Sequence, residues 1–288
     1  MTIHIIGSEG YIAKRILAKL YNTTAIFDKI CKYSYSKNEN VYLNLADVKS
    51  INMLKFSNND VVCLLAAVSS PDDCDNKYDY AYNINVIGTK LLIDRALSAN
   101  AKVLFFSTDA VLGETQNPAD EDIIVHPVGA YALMKREIEA KYLKDENFKV
   151  FRLSYVFSKL DKFTSYIQEC AVNRTPAHVY SNLFRKVIYI DDVVDATIAL
   201  CSRFKTYTNS LFHIVGNELL SRMDMALLIK ANVWNSLDIH ETDTPVGFFD
   251  KRPAIINATS KYIIDLLGRP PTAYKDAVDQ EFGKDSIK

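Results

Sequence analysis

Short apolar runs recur through residues 1–156, and stretches with helical periodicity separate them. Ile3-His4-Ile5-Ile6, Thr24-Ala25-Ile26-Phe27, residues 41–47, residues 60–67 and residues 102–106 each read as a short buried strand. Lys14 to Leu20 and residues 80–100 carry the helical pattern between them. Strands joined through helices pair in parallel, because a hairpin cannot connect parallel neighbours. The fold class expected is therefore α/β, with a doubly wound parallel sheet over residues 1–158. Helices cover both faces, and ligands sit at the carboxyl ends of the strands. From about Leu160 the alternation weakens. Residues 159–288 are expected to form a smaller, mainly substrate-binding α/β cap, with some segments returning to the main sheet.

Gly7-Ser8-Glu9-Gly10-Tyr11-Ile12-Ala13 follows the first strand and opens a helix. Gly7 permits a tight turn, and Gly10 lets the backbone approach a pyrophosphate. The helix N-terminus adds free N–H groups and partial positive charge. Ala13 is small enough for close helix packing. Strand, glycine turn and helix in this order predict a Rossmann-like dinucleotide site, with Glu9, Tyr11 and Ile12 in its turn. Asp28 ends the second strand as read here. A carboxylate there accepts bonds from the ribose hydroxyls and repels a 2′-phosphate, favouring NAD over NADP. Lys29 and Lys32 lie close enough to offset that repulsion, so NADP stays open, and Asp28 as a plain strand-end cap is the alternative. Asp47, at the end of the third strand, is a candidate adenine contact. Ala66 and Ala67 leave room for a flat cofactor, and residues 69–73 bound a cleft. Asn85 is expected to brace the loop at the catalytic strand.

The strand of residues 102–106 delivers Ser107 and Thr108. Tyr131 and Lys135 lie four apart in a helix-forming segment and share one helix face. A hydroxyl at a strand end and such a pair can converge on one carbonyl oxygen. An ammonium at Lys135 is expected to favour the phenolate of Tyr131 and lower its pKa from about 10. That would make Tyr131 a proton donor or acceptor at a carbinol or ketone carbon.

Charge and composition remove other classes. The formal net charge is -1, which offers no electrostatic case for nucleic acid or membrane partners. No apolar run reaches the length of about 18 residues that a membrane span needs. The N-terminus reads directly as a strand, so no export signal is expected. Cys31, Cys63, Cys74, Cys170 and Cys201 are scattered without metal-binding spacing. Reduced thiols in a cytoplasm and no metal are expected. His178 and His213 read as structural.

Gly7-x-x-Gly10-Tyr11-Ile12-Ala13, Leu64-Leu65-Ala66-Ala67, Asn85-Val86-x-Gly88-Thr89, Ser107-Thr108-Asp109 and Tyr131-x-x-x-Lys135 together resemble the extended short-chain dehydrogenase/reductases. The closer likeness is to the nucleotide-sugar branch, which holds dTDP-4-dehydrorhamnose reductase, UDP-galactose 4-epimerase and the 4,6-dehydratases. Ser107-Thr108-Asp109-Ala110-Val111-Leu112-Gly113 is similar to the reductase's Ser-Thr-Asp-Tyr-Val-Phe-x-Gly. Arg152-Leu153-Ser154-Tyr155-Val156-Phe157 is similar to its Arg-Thr-Ser-Trp-Val-Tyr. Arg185-Lys186-Val187-Ile188-Tyr189-Ile190-Asp191-Asp192 resembles the family's Arg-x-x-x-x-Val-x-Asp block, and Arg252-Pro253 resembles a later Arg-Pro.

The resemblance implies Tyr131 as general acid/base and Lys135 as the nicotinamide-ribose and tuning residue. It implies Thr108 on the reacting oxygen, Asp109 beside the substrate, and Tyr155 and Val156 beside the nicotinamide. Arg185 and Arg252 would neutralise the diphosphate of a sugar nucleotide. The dehydratases follow their threonine with Asp-Glu, but here Ala110 follows Asp109, so elimination lacks its base. Tyr155 replaces the reductase's tryptophan, which leaves the substrate open.

The function expected is NAD(P)-dependent reduction of a 4-keto-6-deoxy sugar nucleotide. The alternatives are a 4-epimerase that retains NAD, and a non-catalytic dinucleotide-binding subunit like the regulatory subunit of methionine adenosyltransferase. The family also implies a homodimer through helices near residues 80–99 and 129–145. Further along, helices are expected over 163–172, 191–204, 221–231 with Ser221 as N-cap, and 260–267. Residues 240–257 are expected as loops and residues 281–288 as fraying.

Overall fold

The computed structural model describes residues 1–22, 26–36 and 41–283. In chain order the strands begin with β1 (Thr2–Ile6), β2 (Lys29–Ser34), β3 (Val41–Tyr42), β4 (Val61–Leu64) and β5 (Lys102–Thr108). β6 (Thr115–Ala119), β7 (Phe148–Leu153), β8 (Val156–Phe157), β9 (Ala177–Val179), β10 (Phe184–Lys186) and β11 (Ile188–Tyr189) follow. β12 (Leu211–Ile214), β13 (Leu219–Ser221), β14 (Ile239–Glu241) and β15 (Ile255–Ala258) complete the set. Seven form one parallel sheet in the order β12-β7-β5-β4-β1-β2-β3. The chain is thus a Rossmann-like α/β protein, and β12 carries the late chain back into the main sheet. A four-stranded sheet, β13-β10-β15-β6, and two short pairs, β11-β8 and β14-β9, hold the remaining strands.

Both faces of the main sheet are buried, as its alternating residues show. In β5, Val103 and Phe105 join one core cluster while Leu104 and Phe106 join the other. α1 (Tyr11–Asn22) lies on the second face and packs against a later helix at Ile190–Ser202. α2 (Val48–Asn52), α3 (Pro71–Asn76), α4 (Tyr78–Tyr82), α5 (Thr89–Ser98) and α6 (Ala130–Tyr142) follow. α5 and α6 send Leu92, Ile93, Met134 and Ile138 into the first cluster. Burial on both faces is what the near-continuous apolar strands require.

The helix expected over 80–100 is broken in character. α4 passes into a π-helical turn at Asn83–Gly88 before α5 begins. Within that turn Asn85 is 2% exposed and grips Val68 at both ends, donating to its carbonyl at 2.9 Å and accepting from its N–H at 2.8 Å. Asn85 therefore clips the loop after β4 rather than the strand β5.

A buried polar chain ties α6 to the sheet. Arg152 on β7 donates to Glu139 on α6 at 2.7 and 3.1 Å, and Ser107 on β5 donates to the same carboxylate at 2.6 Å. His213 on β12 is 0% exposed and lies 3.3 Å from Arg152 Nη1. Its Nδ1 is 2.9 Å from the Thr259 carbonyl, so Nδ1 carries the proton and Nε2 accepts from Arg152. Burial lowers its pKa, consistent with a neutral ring. His213 is structural as expected, but as a member of a network.

Three expectations need correction here. The second strand is at Lys29–Ser34; of residues 24–27, where it was expected, Thr24 and Ala25 lie outside the described residues and Ile26 and Phe27 are in no strand. The register is Thr2 opposite Lys29 and Ile6 opposite Tyr33. It is secured by a buried bond of 3.0 Å between His4 Nδ1 and the Tyr33 hydroxyl. Residues 240–257 hold the ends of β14 and β15 and a 3-10 turn at Phe248–Asp250. Glu281 and Phe282 belong to a terminal helix, Tyr274–Phe282; Glu281 is 4% exposed and accepts from Arg15 at 2.9 Å. No helix among the described residues is long and apolar enough to cross a membrane.

Candidate active site

The carboxyl ends of β1, β4 and β5 open into a cavity of about 940 Å³. Gly7 and Gly10 line one part of it, Thr108, Tyr131 and Lys135 another, and arginines a third. Gly7 has φ +90, and a Cβ there would meet the Ala66 nitrogen at 2.7 Å. Only glycine fits that close approach of two strand ends. The turn is pinned by Tyr33, whose carbonyl accepts from Gly7 N at 2.9 Å and from Ser8 N at 3.0 Å. The first bond of α1 runs from Lys14 N to the Gly10 carbonyl at 2.9 Å. The preceding N–H groups of the first turn, from Tyr11 to Ala13, thus stand at the cavity with the positive end of the helix dipole. A glycine cradle, a helix N-terminus and small Ala66 and Ala67 behind them fit the pyrophosphate and flat ring of a nicotinamide dinucleotide. Glu9, Tyr11 and Ile12 also line the cavity, with Glu9 3.2 Å from Lys14.

Asp28, Lys29 and Asp47 are not part of this wall. Asp28 sits at the amino end of β2 and pairs with the N-terminal ammonium, on the side of the sheet away from the glycine turn. Lys29 opens the same strand and is exposed. The later start of β2 puts Ser34 and Ser36 at the cavity instead; their hydroxyls are 2.9 Å apart. Asp47 caps α2, accepting from Lys49 N at 2.9 Å, while Asn44 and Leu45 line the cavity.

Thr108, Tyr131 and Lys135 are brought together. Thr108 Oγ1 accepts from Ala110 N at 3.2 Å, which starts a 3-10 turn and fixes the hydroxyl at the strand end. The Tyr131 hydroxyl has no hydrogen-bond partner among the described residues and lies at the cavity. Lys135 is 3% exposed and donates to the Phe106 carbonyl at 2.8 Å. Its Nζ is 5.8 Å from the Tyr131 ring centroid.

The expected lowering of the Tyr131 pKa is overturned. Burial pushes the phenol up, reinforced by Cys74, Asp109 and Tyr11. Burial also brings Lys135 down to about 8, opposed by Glu139 and Cys74. Desolvation outweighs the attraction that proximity alone suggests. Asp109 is 6% exposed and accepts from Ser154 at 2.8 Å; burial raises its pKa against the pull of Arg185.

Arg185, Arg222 and Arg252 also line the cavity. Arg185 donates to the carbonyls of Phe184 at 2.6 Å, Pro253 at 2.7 Å and Ala254 at 3.0 Å. Burial lowers its pKa to about 10. Arg252 pairs with Asp72 and lies over the Phe248 ring at 4.2 Å. Arg222 was not expected. It is the first residue of a helix, Arg222–Asn232, whose N-cap Ser221 and box partner Asp224 are legible in the sequence. Nothing local marks the arginine itself. Its guanidinium stacks 3.5 Å from the Tyr155 ring centroid. Tyr155 lines the cavity and donates to Asp161. Among the described residues no cluster of His, Cys, Asp and Glu could hold a metal.

Known proteins match more than half of the chain. Methionine adenosyltransferase 2 subunit beta of Xenopus tropicalis is 25% identical over 255 residues, covering 84% of this chain and 76% of that protein. The dTDP-4-dehydrorhamnose reductase of Aggregatibacter actinomycetemcomitans is 26% identical over 176 residues, covering 59% of this chain and 60% of that protein. Among solved structures, a dTDP-4-dehydrorhamnose reductase of Clostridium acetobutylicum superposes with a TM-score of 0.81 at 23% identity, covering 98% of both chains, which shows the shared fold. The model of the RmlD substrate binding domain matches residues 1–275, and this chain belongs to that family.

Proposed function

We propose that the protein is an NAD(P)-dependent nucleotide-sugar oxidoreductase that reduces the C4 ketone of a 4-keto-6-deoxy sugar nucleotide. One observation carries this: a free tyrosine hydroxyl, a threonine hydroxyl and a buried lysine share one cavity with a glycine turn and three arginines. The Gly7 turn and the N-terminus of α1 would hold a nicotinamide dinucleotide, which would supply the hydride. Tyr131 gives its proton to the carbonyl oxygen as that oxygen gains negative charge. Its raised pKa keeps the phenol protonated at neutral pH, which suits a donor. Thr108 donates to the same oxygen. Lys135, as an ammonium below about pH 8, holds the ribose and favours the phenolate as the proton leaves. Arg252 meets the substrate diphosphate once it leaves Asp72. With Ala110 in place of a second carboxylate, the site has no base for dehydration.

Neither cofactor is favoured by β2, since Asp28 lies away from the cavity and Ser34 and Ser36 replace it. For a homodimer, the proposed contact is the α4 to α6 surface, where Tyr80, Ile87 and Leu133 are exposed. A second role, that of a binding subunit, is favoured by the likeness to methionine adenosyltransferase 2 subunit beta over 84% of the chain.

The test is NADH and NADPH oxidation with 4-keto-6-deoxy sugar nucleotides, comparing wild type with Tyr131→Phe. Stoichiometric oxidation by wild type, reduced about 1000-fold in the variant, supports the reductase. Interconversion of C4 epimers without net oxidation marks an epimerase. Dinucleotide binding with no turnover of any sugar nucleotide marks the binding subunit.

A further inference from the structure

We infer that Arg222 binds an anionic oxygen group of the substrate, phosphate or carboxylate, beside Tyr155, and that Arg185 serves as a strut. This rests on the proposed sugar-nucleotide substrate only for the identity of the ligand; the anion site follows from the arginines themselves.

The three guanidinium groups differ in what they already hold. Arg185 makes three bonds to main-chain carbonyls, two of them at Pro253 and Ala254. Glu114 accepts from Ala254 N at 2.7 Å and Ile255 N at 3.1 Å on the same segment. Arg185 and Glu114 thus clamp the chain just after Arg252, and Arg185 has few donors left. Arg252 has a carboxylate partner in Asp72. Arg222 has neither arrangement. Its one hydrogen-bond acceptor among the described residues is the Met225 sulfur at 3.3 Å, a weak one. No carboxylate of the described residues forms an ion pair with it.

The acid behind Tyr155 is already occupied. Asp161 accepts from Tyr155, from Ser158 N at 3.0 Å, from Phe163 N at 2.9 Å, and from Thr164 N and Oγ1 at 3.0 and 2.7 Å. Arg222 is instead held by rings, Tyr155 at 3.5 Å and Phe163 at 5.1 Å. Cation–π contact fixes the plane of the guanidinium and leaves most of its N–H edge unused. A guanidinium stays charged, and a half-buried unpaired charge is costly. A cation stacked in place at a cavity wall, with free donors and no acid, is built for a ligand anion bound through two parallel bonds. The capping box of Ser221 and Asp224 fixes the backbone from which it reaches.

The experiment measures binding calorimetrically to wild type, Arg222→Met and Arg222→Lys. The probes are inorganic pyrophosphate, dTDP, thymidine, UDP-glucose and UDP-glucuronate, with NADPH as the control for an intact fold. Arg222→Met is expected to bind pyrophosphate and dTDP about 10- to 100-fold more weakly, the loss of a charge-assisted bond. Thymidine and NADPH should change less than about twofold, and Arg222→Lys should recover part of the loss. A loss seen only with UDP-glucuronate, relative to UDP-glucose, identifies a sugar carboxylate as the anion and equally supports the site. Should Arg222→Met not fold, Arg222→Lys alone should still weaken the anions, because an ammonium cannot form the fork. Equal binding of every anion by wild type and variants overturns the inference while leaving the sugar-nucleotide substrate intact. Arg222-dependent binding of pyrophosphate without binding of any nucleotide overturns the substrate class and keeps the anion site. Wild type that binds neither overturns both.

Discussion

Lys135 Nζ donates to the carbonyl oxygen of Phe106 at 2.8 Å, joining α6 to the strand that presents Thr108 two residues later. The bond satisfies one of the three protons of an ammonium that is 3% exposed, and the lysine pKa falls to about 8 through burial.

That depression sets the sign of a stability change with pH. In the folded chain Lys135 loses its proton at about pH 8, and in the unfolded chain near 10.5. Between these values the unfolded state binds the extra proton, so stability rises with pH through that window. Lys149, also lowered to about 8, adds a similar slope. The difference between wild type and Lys135→Met isolates Lys135, and it should grow by at most about 3 kcal/mol from pH 7 to pH 10. Urea unfolding at both values measures it. Identical slopes in the two proteins would show that the lysine is not desolvated.

Glu139 on α6 and Arg152 on β7 form the most buried ion pair among the described residues, at 2.7 Å with 0% and 2% of the side chains exposed. Removing one partner leaves an uncompensated charge. Glu139→Gln should cost about 3–5 kcal/mol, whereas Ser107→Ala, which deletes one hydrogen bond to the pair, should cost about 1–3 kcal/mol. Chemical denaturation ranks the two, and the reverse order would refute the network as described.

Gly88 gives the π-helical turn its closeness to the loop after β3. A Cβ there would lie 1.8 Å from the Leu45 carbonyl oxygen. Gly88→Ala is expected to destabilise by more than about 4 kcal/mol and to weaken dinucleotide binding, because Leu45 lines the cavity. Gly268→Ala is the contrast. It has φ +69 but no atom within 4 Å of the added carbon, so backbone strain of about 1 kcal/mol is its whole cost. Thermal melting and fluorescence titration separate the two.

Ser36 lines the cavity where Asp28 was expected. Asp28→Asn should leave the ratio of NADPH to NADH affinity unchanged, since Asp28 pairs with the chain terminus. Ser36→Asp places a carboxylate at the cavity and should weaken NADPH about tenfold relative to NADH, from repulsion of the 2′-phosphate. Equilibrium titration of both dinucleotides checks this. A shift with Asp28→Asn would restore that aspartate to the cofactor.

Much of the sheet was legible because its signals are local. The strand, Gly7 turn and helix lie within a few residues of one another, and four-residue spacing on one helix puts Tyr131 and Lys135 on one face. Ser221 and Asp224 announced their helix by the same short-range chemistry. The second strand was not legible. Lys29 and Lys32 interrupt its apolar pattern, while residues 24–27 read as a better strand.

Taken alone, the order of residues determined the parallel α/β plan, the glycine turn and the shared helix face of Tyr131 and Lys135, since these depend on periodicity and neighbours. Only the tertiary structure decided the β2 register, through His4 meeting Tyr33 across 29 positions. It alone brought Arg222 to the wall of a cavity begun by Gly7. It also reversed the Tyr131 pKa, because desolvation depends on how completely distant segments exclude water, and no local spacing encodes that.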